Sequence, residues 1–518
     1  MTVASRASSE ANIGSLLVEA AERHPEQAAV LFRDDELSYR DLDAAVERLA
    51  TTIAAAAGDA SGRSLRGARI GVIAGNEPAL VTALFAVWRL GAIVVPLSAR
   101  LREHELGRIL ADSEITILLS VHEGFGYSFE QLLPRLLPEL SNLRACLFIT
   151  PSGETGPQLQ GNPNAPEPDS LSPDVSAILY TSGTTGRPKG VLVTHERELY
   201  GSRELGSLLE LGSEDTVAFV IALVHAFGLS CLLATIRAGG TAALVESTFS
   251  AAPLLTAIEE RQVSILHGPP VLFAGLMKAR PAGFARVRTG FVAGASTPPE
   301  LLERLDAVGM RILNLYGLTE SGAVACCRQD DPPQVRYSTV GRPLPGVEAR
   351  VADREGGQIG LRELEVRGAH VVPRYLRPDA AEGAAVDGWF RTGDLAEIDE
   401  GNVFIVGRSK ELVHVGGFNV FPSEVEAVLL AHPDVLQVAV VGVPHEKMGE
   451  ALQAFVVARP EAELDQPTLL RFARPRIAGY KLPYAIRIVP ELPILASGKP
   501  DRVALADTAR AAGARVEV

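Results

Sequence analysis

Cysteine is scarce in this chain, with four thiols in 518 residues, at Cys146, Cys231, Cys326 and Cys327. None has CxxC or Cys/His ligand spacing, which argues against a disulfide framework or a structural zinc and fits a reducing cytoplasm. The adjacent Cys326 and Cys327 are expected as free thiols in or near a core. Basic charge is also in deficit. The formal net charge is −14, whereas nucleic acid and anionic membrane both attract a basic field, so neither is expected as a partner. Long apolar runs are missing as well: even 72–97 is broken by Glu77 and Arg89, short of the ~20 apolar residues that cross a bilayer. Residues 1–14 are rich in Ser and Ala, carry Arg6 and Glu10, and lack the apolar segment of a secretion signal. A soluble, cytoplasmic protein is expected. Its 47% hydrophobic and 22% charged residues are ordinary for globular chains, and its length exceeds what one core organises, so two or more domains are expected.

What is present is a loop dense in hydroxyls and glycines. Val175 to Tyr180 reads as a short buried strand, Val191 to Val193 resumes the apolar pattern, and Thr194 is placed to cap a helix. Between them lie Thr181, Ser182, Gly183, Thr184, Thr185, Gly186, Arg187, Pro188, Lys189 and Gly190. Gly183 and Gly186 let backbone amides converge on an anion, the hydroxyls add donors, and Lys189 adds charge. A Walker A loop has glycine before its lysine and Ser or Thr after it; Pro188 and Gly190 stand in those places, which disfavours a P-loop kinase or GTPase.

Residues 15–120 alternate helical patterns (16–23, 39–55, 80–90) with short apolar runs (70–73, 93–95, 115–119), the rhythm of α/β layers with parallel strands. A Pro/Gly/Asn-rich stretch, 151–173, reads as an exposed connection. The α/β rhythm resumes through 217–224, 241–245, 265–267 and 289–292, and Thr297 to Glu300 matches a capping box opening a helix over 300–306. Residues 340–407 suggest a small β-rich subdomain. After Gly407 the pattern changes again: a strand at 412–415, a second capping box at Ser423 to Glu426, strands at 435–441 and 452–458, then a helix. The expected organisation is therefore an α/β chain, with a large multi-layer N-terminal domain (1–407) of parallel-type sheets plus the β-rich subdomain, and a small α+β C-terminal domain (408–518).

Four clusters carry chemistry. The loop of 179–190 is the first. In the second, Asn314-Leu-Tyr-Gly-Leu-Thr-Glu320, Tyr316 offers a flat face, Thr319 a hydroxyl and Glu320 a hard oxygen suited to Mg²⁺. Gly388-Trp-Phe-Arg-Thr-Gly-Asp394, with Arg408 following, puts an acid on a glycine-framed turn. Ser497-Gly-Lys499 lies near the C-terminus. The loop of 179–190 resembles the phosphate loop of the adenylate-forming superfamily, which contains acyl-CoA synthetases, peptide-synthetase adenylation domains and luciferases. The other three clusters match that superfamily's motifs in its order, over about 320 residues by position.

The resemblance implies a two-step reaction: a carboxylate attacks the α-phosphorus of ATP to give acyl-adenylate and pyrophosphate, then the acyl group passes to a thiol. It implies that Thr181 to Gly186 and Lys189 hold the β- and γ-phosphates, that Tyr316 stacks on adenine with Asn314 and Gly317 beside it, and that Thr319 and Glu320 face phosphate and Mg²⁺. Asp394 would accept the ribose hydroxyls with Arg408 assisting, and Lys499 would meet the charge gathering during attack. Lys410 occupies the place of a hinge about which the small, mobile domain rotates, bringing Gly416 and Gly417 forward as a slot for pantetheine. In Leu223 to Gly228 no aspartate is present to pair with an amino acid's ammonium group; His225 matches the histidine that aryl- and acyl-CoA synthetases place beside the reacting carboxylate. Ala295 and Ser296 look like the pocket strand of benzoate-type ligases, and Ser321, Gly322 and Ala323 leave room for a ring or chain.

An ATP-dependent acid:CoA ligase on an aromatic acid is the leading reading, with medium-chain or alicyclic acids close behind. An adenylation enzyme loading the phosphopantetheine of an acyl carrier protein is the second, and a non-catalytic adenylate-binding protein the third. A homodimer is left open. Arg362 and Arg374 stand where relatives often carry glycine, and His414 where some carry lysine.

Overall fold

The structure is a computed structural model describing residues 12–513 except 58–64, 151, 163–164, 166–170, 183–187, 246–250, 354–361, 372–373, 378–386, 409–410, 416–417, 446–447, 461 and 496–498. Two large sheets organise the first four hundred residues. One runs in the order Arg342–Pro343, Gly322–Cys326, Arg311–Leu318, Thr289–Val292, Ile265–Leu266, Thr216–Phe219, Thr241–Leu244, Ala28–Phe32 and Asp35–Ser38. From Arg311–Leu318 to Ala28–Phe32 its neighbours are parallel. The other runs Arg374–Tyr375, Pro188–Thr194, Val175–Ser182, Ile93–Ser98, Arg69–Ala74, Ile117–Ser120, Ala145–Ile149 and Thr155–Gln160, with a parallel centre. The α/β reading with parallel sheets is borne out, and its physical cause is visible in the strands themselves. Arg69–Ala74 is buried at every position and flanked by the helix Pro78–Arg89, buried from Pro78 to Trp88, as expected where helices cover both faces of a parallel sheet. Trp88 of that helix is fully buried and donates its indole N–H to Ser176 O at 3.0 Å, tying helix to strand.

One core joins the two sheets, and a second packs the helices 251–260, 270–279 and 299–307 against the other face of the first sheet. A four-stranded antiparallel sheet of Glu348–Asp353, Arg362–Arg367, Phe390–Asp399 and Asn402–Arg408 follows, where β-rich structure was expected. Arg362 begins a strand of it without difficulty. Arg374 joins the second sheet opposite Leu192 and pairs with Asp174 at 2.7 Å. Residues 413–509 build separate cores around Gly449–Ala458, which pairs with Val435–His445, Val413–Val415 and Ala485–Ile488. All four cysteines are buried and free. Among the described residues no helix is long and apolar enough to cross a membrane.

Three local expectations fail. The stretch 151–173 contains a strand, Thr155–Gln160, which pairs with Ala145–Ile149 and closes that edge of the sheet. Neither capping box forms. The helix Pro299–Ala307 starts one residue late for Thr297, whose buried hydroxyl has no partner among the described residues. The helix Pro422–Leu430 starts at a proline whose fixed φ suits the first turn, leaving Ser423 inside it. Glu426 instead accepts from Val440 N at 2.7 Å and pairs with Arg502 at 2.7 Å, holding helix, sheet and the C-terminal helix together.

Candidate active site

Because the strands Thr216–Phe219, Ile265–Leu266, Thr289–Val292 and Arg311–Leu318 are parallel, the loops that follow them leave the sheet at one edge, the usual place for ligands in open α/β sheets. That edge collects His225, His267, Ala295, Ser296 and Tyr316 to Glu320. The loop leading to His225 is pinned by Asn76, which follows a strand of the other sheet. Its side chain donates to Phe219 O at 3.0 Å and Ile221 O at 2.8 Å and accepts from Leu223 N at 3.0 Å. His225 then caps the helix Ala226–Ala238, accepting from Leu229 N at 2.9 Å through its carbonyl.

Tyr316 to Glu320 form the end of a tight hairpin, with Leu318 opposite Gly322, rather than a strand passing into a helix. A Cβ on Gly317 would lie 2.4 Å from Gly322 O, so the approach of the two strands requires glycine there. Gly317→Ala is expected to cost about 1–3 kcal/mol of stability by overpacking, and to weaken nucleotide binding by displacing Tyr316 and Glu320; melting temperature and ATP titration check both. Asn314, expected beside the adenine, has its amide donors on Thr339 O at 3.1 Å and Arg336 O at 3.4 Å, and so pins the strand to the helix Pro333–Ser338.

Asp394 comes from the antiparallel sheet, where it stands opposite Arg408 across Phe390–Asp399 and Asn402–Arg408. It is 3% exposed. One oxygen meets Arg408 Nε at 3.2 Å and the other accepts the Tyr316 hydroxyl. Burial raises the Asp394 pKa, and the Arg408 guanidinium opposes that rise. Burial, then Asp394, pushes the Tyr316 phenol far above its ordinary range. Two residues to which the sequence reading gave no role hold this turn: Glu363 accepts from Gly393 N at 2.9 Å, and Thr392 Oγ1, within the cluster of 388–394, accepts from Asp394 N at 3.1 Å.

Lys499, from the C-terminal region, lies within electrostatic reach of Asp394, Arg408 and His225. Its carbonyl accepts from Leu495 N at 2.8 Å. Solvent reaches the side chain, yet the surrounding protein desolvates it and lowers its pKa, with Arg408 adding to the effect and Glu411 and Asp394 opposing it. The ammonium lies near enough to His225 to help depress it: burial, then Lys499, holds the imidazole down at about 4. His225 is therefore neutral near pH 7, with Nε2 buried and unpartnered among the described residues. Glu320, at the hairpin tip, is in electrostatic reach of Arg197 and Arg408. Thr181 and Lys189 face each other across the hairpin Val175–Ser182/Pro188–Thr194 that carries the glycine loop. Gly183, Thr184, Thr185, Gly186, Lys410, Gly416 and Gly417 lie outside the described residues. Ala295 and Ser296 are exposed in the loop after Thr289–Val292, and Ala323 is half-buried beside Gly322.

His267 was not marked by sequence reasoning, since a lone histidine after an apolar run carries no signal. It is fully buried, accepts from Phe291 N at 3.1 Å through Nδ1, stacks on the Phe291 ring, and is held down at about 3 by burial. Unfolded imidazoles titrate near 6.5. Between those values the unfolded chain binds the extra proton, so stability should fall as pH drops from 6.5 toward 3, and level off below. Melting curves across that window check this, and His267→Leu should flatten the slope.

The sequence profile of the AMP-binding enzyme family matches residues 17–376, and that of the AMP-binding enzyme C-terminal domain matches residues 424–499. A feruloyl-CoA synthase from Amycolatopsis sp is 32% identical over 500 residues, covering 94% of this chain and 97% of that protein. A 3-[(3aS,4S,7aS)-7a-methyl-1,5-dioxo-octahydro-1H-inden-4-yl]propanoyl:CoA ligase from Mycobacterium tuberculosis is 32% identical over 494 residues, covering 92% of this chain and 94% of that one. The solved structure of o-succinylbenzoate CoA synthetase from Bacillus subtilis, in complex with its acyl-adenylate intermediate, superposes with a TM-score of 0.75 at 27% identity, covering 95% of this chain and 97% of that one. With a profile spanning more than half the chain and relatives this similar along nearly all of it, the chain belongs to the AMP-binding enzyme family, as an AMP-forming acid–thiol ligase.

Proposed function

We propose that this ligase joins an aromatic or alicyclic carboxylic acid to coenzyme A, using ATP and passing through an acyl-adenylate. The observation that carries the reading is the meeting of Lys499 with His225, Asp394 and Arg408 at the carboxyl edge of the parallel strands. A cation is brought from the C-terminal region to the place where a carboxylate and an α-phosphate would share negative charge. The relatives' acids, feruloyl and a hydrindane-propanoyl group, support a cyclic substrate, and the lack of an acid in 223–228 to pair with an ammonium group disfavours an amino acid.

In the first step the acid's oxygen bonds to the α-phosphorus and the bond to the pyrophosphate oxygen breaks. Lys499 offsets the charge building on both reactants, a task that a desolvated ammonium performs well. Neutral His225 beside it neither repels Lys499 nor titrates near pH 7. Tyr316 presents a ring face to adenine. Asp394 uses one lone pair on Tyr316 and another on Arg408, which leaves carboxylate acceptor capacity for the ribose hydroxyls. The loop after Thr181 and Lys189 would retain the pyrophosphate. Glu320 fits Mg²⁺: a single carboxylate near phosphates is its usual protein ligand, and no group of three acidic, His or Cys side chains gathers among the described residues to make a closed cage. The ion would neutralise phosphate charge when bound.

In the second step the thiol sulfur bonds to the acyl carbon and AMP leaves. Residues 1–407 and 408–518 would act as two domains, turning about Lys410 so that Lys499 withdraws and Gly416 and Gly417 admit the pantetheine arm. Val415 and Phe418, which bracket those glycines in the sequence, line an apolar groove with Met448, Tyr480 and Tyr484. Its exposed aromatic rim, with Phe418 stacked on Tyr480, favours a carrier-protein phosphopantetheine as the second acceptor. Pyrophosphate release across a panel of aromatic, alicyclic and aliphatic acids, followed by trapping with CoA or carrier protein, tests the reading. Cyclic acids with CoA should give thioester, and no release with any acid would return the chain to a non-catalytic role.

A further inference from the structure

Lys499 sits on a stretch with little apolar anchorage. Leu492 and Leu505, 6% and 2% exposed, pack with Val441, Phe455 and Val457 on one face of the C-terminal sheet. Among the described residues between them no apolar side chain is buried: Ile494 is 47% exposed and Val503 68%. What orders the stretch is polar. Leu495 N donates to Lys499 O and Asp501 N to Pro493 O, each at 2.8 Å, so the backbone doubles back around Lys499. Asp501 Oδ1 then accepts from Val503 N at 3.1 Å and Ala504 N at 3.0 Å, opening the helix Arg502–Gly513. These contacts fix the loop's shape but tie it to nothing outside itself.

Arg502 supplies the outside tie. Its Nη1 and Nη2 donate to the two oxygens of Glu426 at 2.7 and 3.0 Å, a fork that sets direction as well as distance. Nη1 also donates to Val440 O at 2.6 Å, and Glu426 accepts from Val440 N at 2.7 Å. The pair therefore grips both backbone groups of one residue in the strand Val435–His445. Exposed ion pairs usually contribute little, because side-chain freedom and water offset them. This one is 30% and 17% exposed, bidentate, and bonded to backbone through each partner. Arg502 also lies within electrostatic reach of Lys499. Glu426, with Glu411 Oε2 at 3.7 Å from Arg502 Nε, offsets a charge that would otherwise repel the ammonium.

We propose that Arg502 and Glu426 form the positioning pair for Lys499: their fork sets where the loop of 493–501 stands against the sheet, and so where the ammonium arrives in the adenylate-forming step. Their role is exerted through Lys499 and not by contact with a reactant. This rests on the acid:CoA ligase reading above. A displacement of about 1 Å in a group that meets developing charge costs about a hundredfold in rate, which is the scale on which a distant anchor acts on chemistry.

The test measures both half-reactions of the full-length chain. Arg502→Met should slow acid-dependent pyrophosphate release by about a hundredfold through kcat, with the KM for ATP little changed. Thioester formation from supplied acyl-adenylate should stay near its normal rate, since Lys499 is withdrawn in that step. Arg502→Lys, which keeps the charge without the fork, should recover only part of the loss. Glu426→Gln, nearly isosteric, should reproduce the pattern by a smaller factor, and it reads the pair if melting curves show that Arg502→Met does not fold. The deciding comparison adds each folded single variant to Lys499→Ala. A residue that acts through Lys499 then has nothing left to position, so the residual pyrophosphate release should change by less than about twofold. A further loss as large as that in the intact protein, equal loss of both half-reactions, or an unchanged rate in the single variants would overturn the proposal while leaving the ligase reading standing. No pyrophosphate release from the intact protein with any acid would overturn both.

Discussion

Lys499→Ala is expected to slow acid-dependent pyrophosphate release by about a thousandfold, the scale seen when one preorganised electrostatic contact to developing charge is removed. Thioester formation from supplied acyl-adenylate should survive nearly intact. On the proposed mechanism the two halves separate because Lys499 lies within electrostatic reach of His225, Arg408 and Asp394, a position that would serve attack on the α-phosphorus. In the thiol-transfer step that region would have rotated away. Binding of ATP should change little, since Lys499 meets charge that gathers mainly in the transition state. Equal loss of both half-reactions would mean that Lys499 supports the fold or a shared binding contact. The pair of assays, pyrophosphate release and CoA-dependent consumption of synthetic adenylate, decides between them.

Asp394→Ala should have the second largest effect, raising the KM for ATP by about a hundredfold, as expected when two charge-assisted contacts of 1.5 kcal/mol or so each are lost. The residue is nearly fully buried between the Tyr316 hydroxyl and Arg408, so its loss breaks both contacts and should lower the melting temperature as well. Tyr316→Phe separates the contributions. It removes only the hydroxyl, keeps the ring face for adenine, and should raise the KM far less. If Tyr316→Phe matched Asp394→Ala, the ring's orientation by that hydrogen bond would outweigh any contact of Asp394 with ribose.

The reaction was legible in the sequence because its residues are dictated by ligand chemistry and come in short strings. Phosphates call for glycines and hydroxyls, and adenine for a flat ring such as Tyr316 presents. Parallel strands were legible from apolar runs such as 70–73 and 93–95, which became Arg69–Ala74 and Ile93–Ser98. The support was not legible. Asn76 holds the loop of His225 from 149 positions away by subtraction of residue numbers, and nothing local marks it. Arg197-Glu198 reads as an ordinary solvated pair on a helix, and only packing against Ser230 and the Glu320 turn shows it buried. The capping boxes failed for a related reason: Thr297 and Ser423 match a pattern, but adjacent prolines decided where each helix begins.

The account turns on the acid's own oxygen attacking phosphorus, and isotope transfer reads that event directly. The preferred cyclic acid, labelled with ¹⁸O in its carboxylate, is incubated with ATP, Mg²⁺, CoA and the full-length chain, and the products are separated for mass spectrometry. One carboxylate oxygen should appear in AMP, with unlabelled pyrophosphate and one acyl-CoA formed per AMP. Label in inorganic phosphate with release of ADP would show an acyl-phosphate route instead, and unlabelled AMP would show that no acyl-adenylate forms.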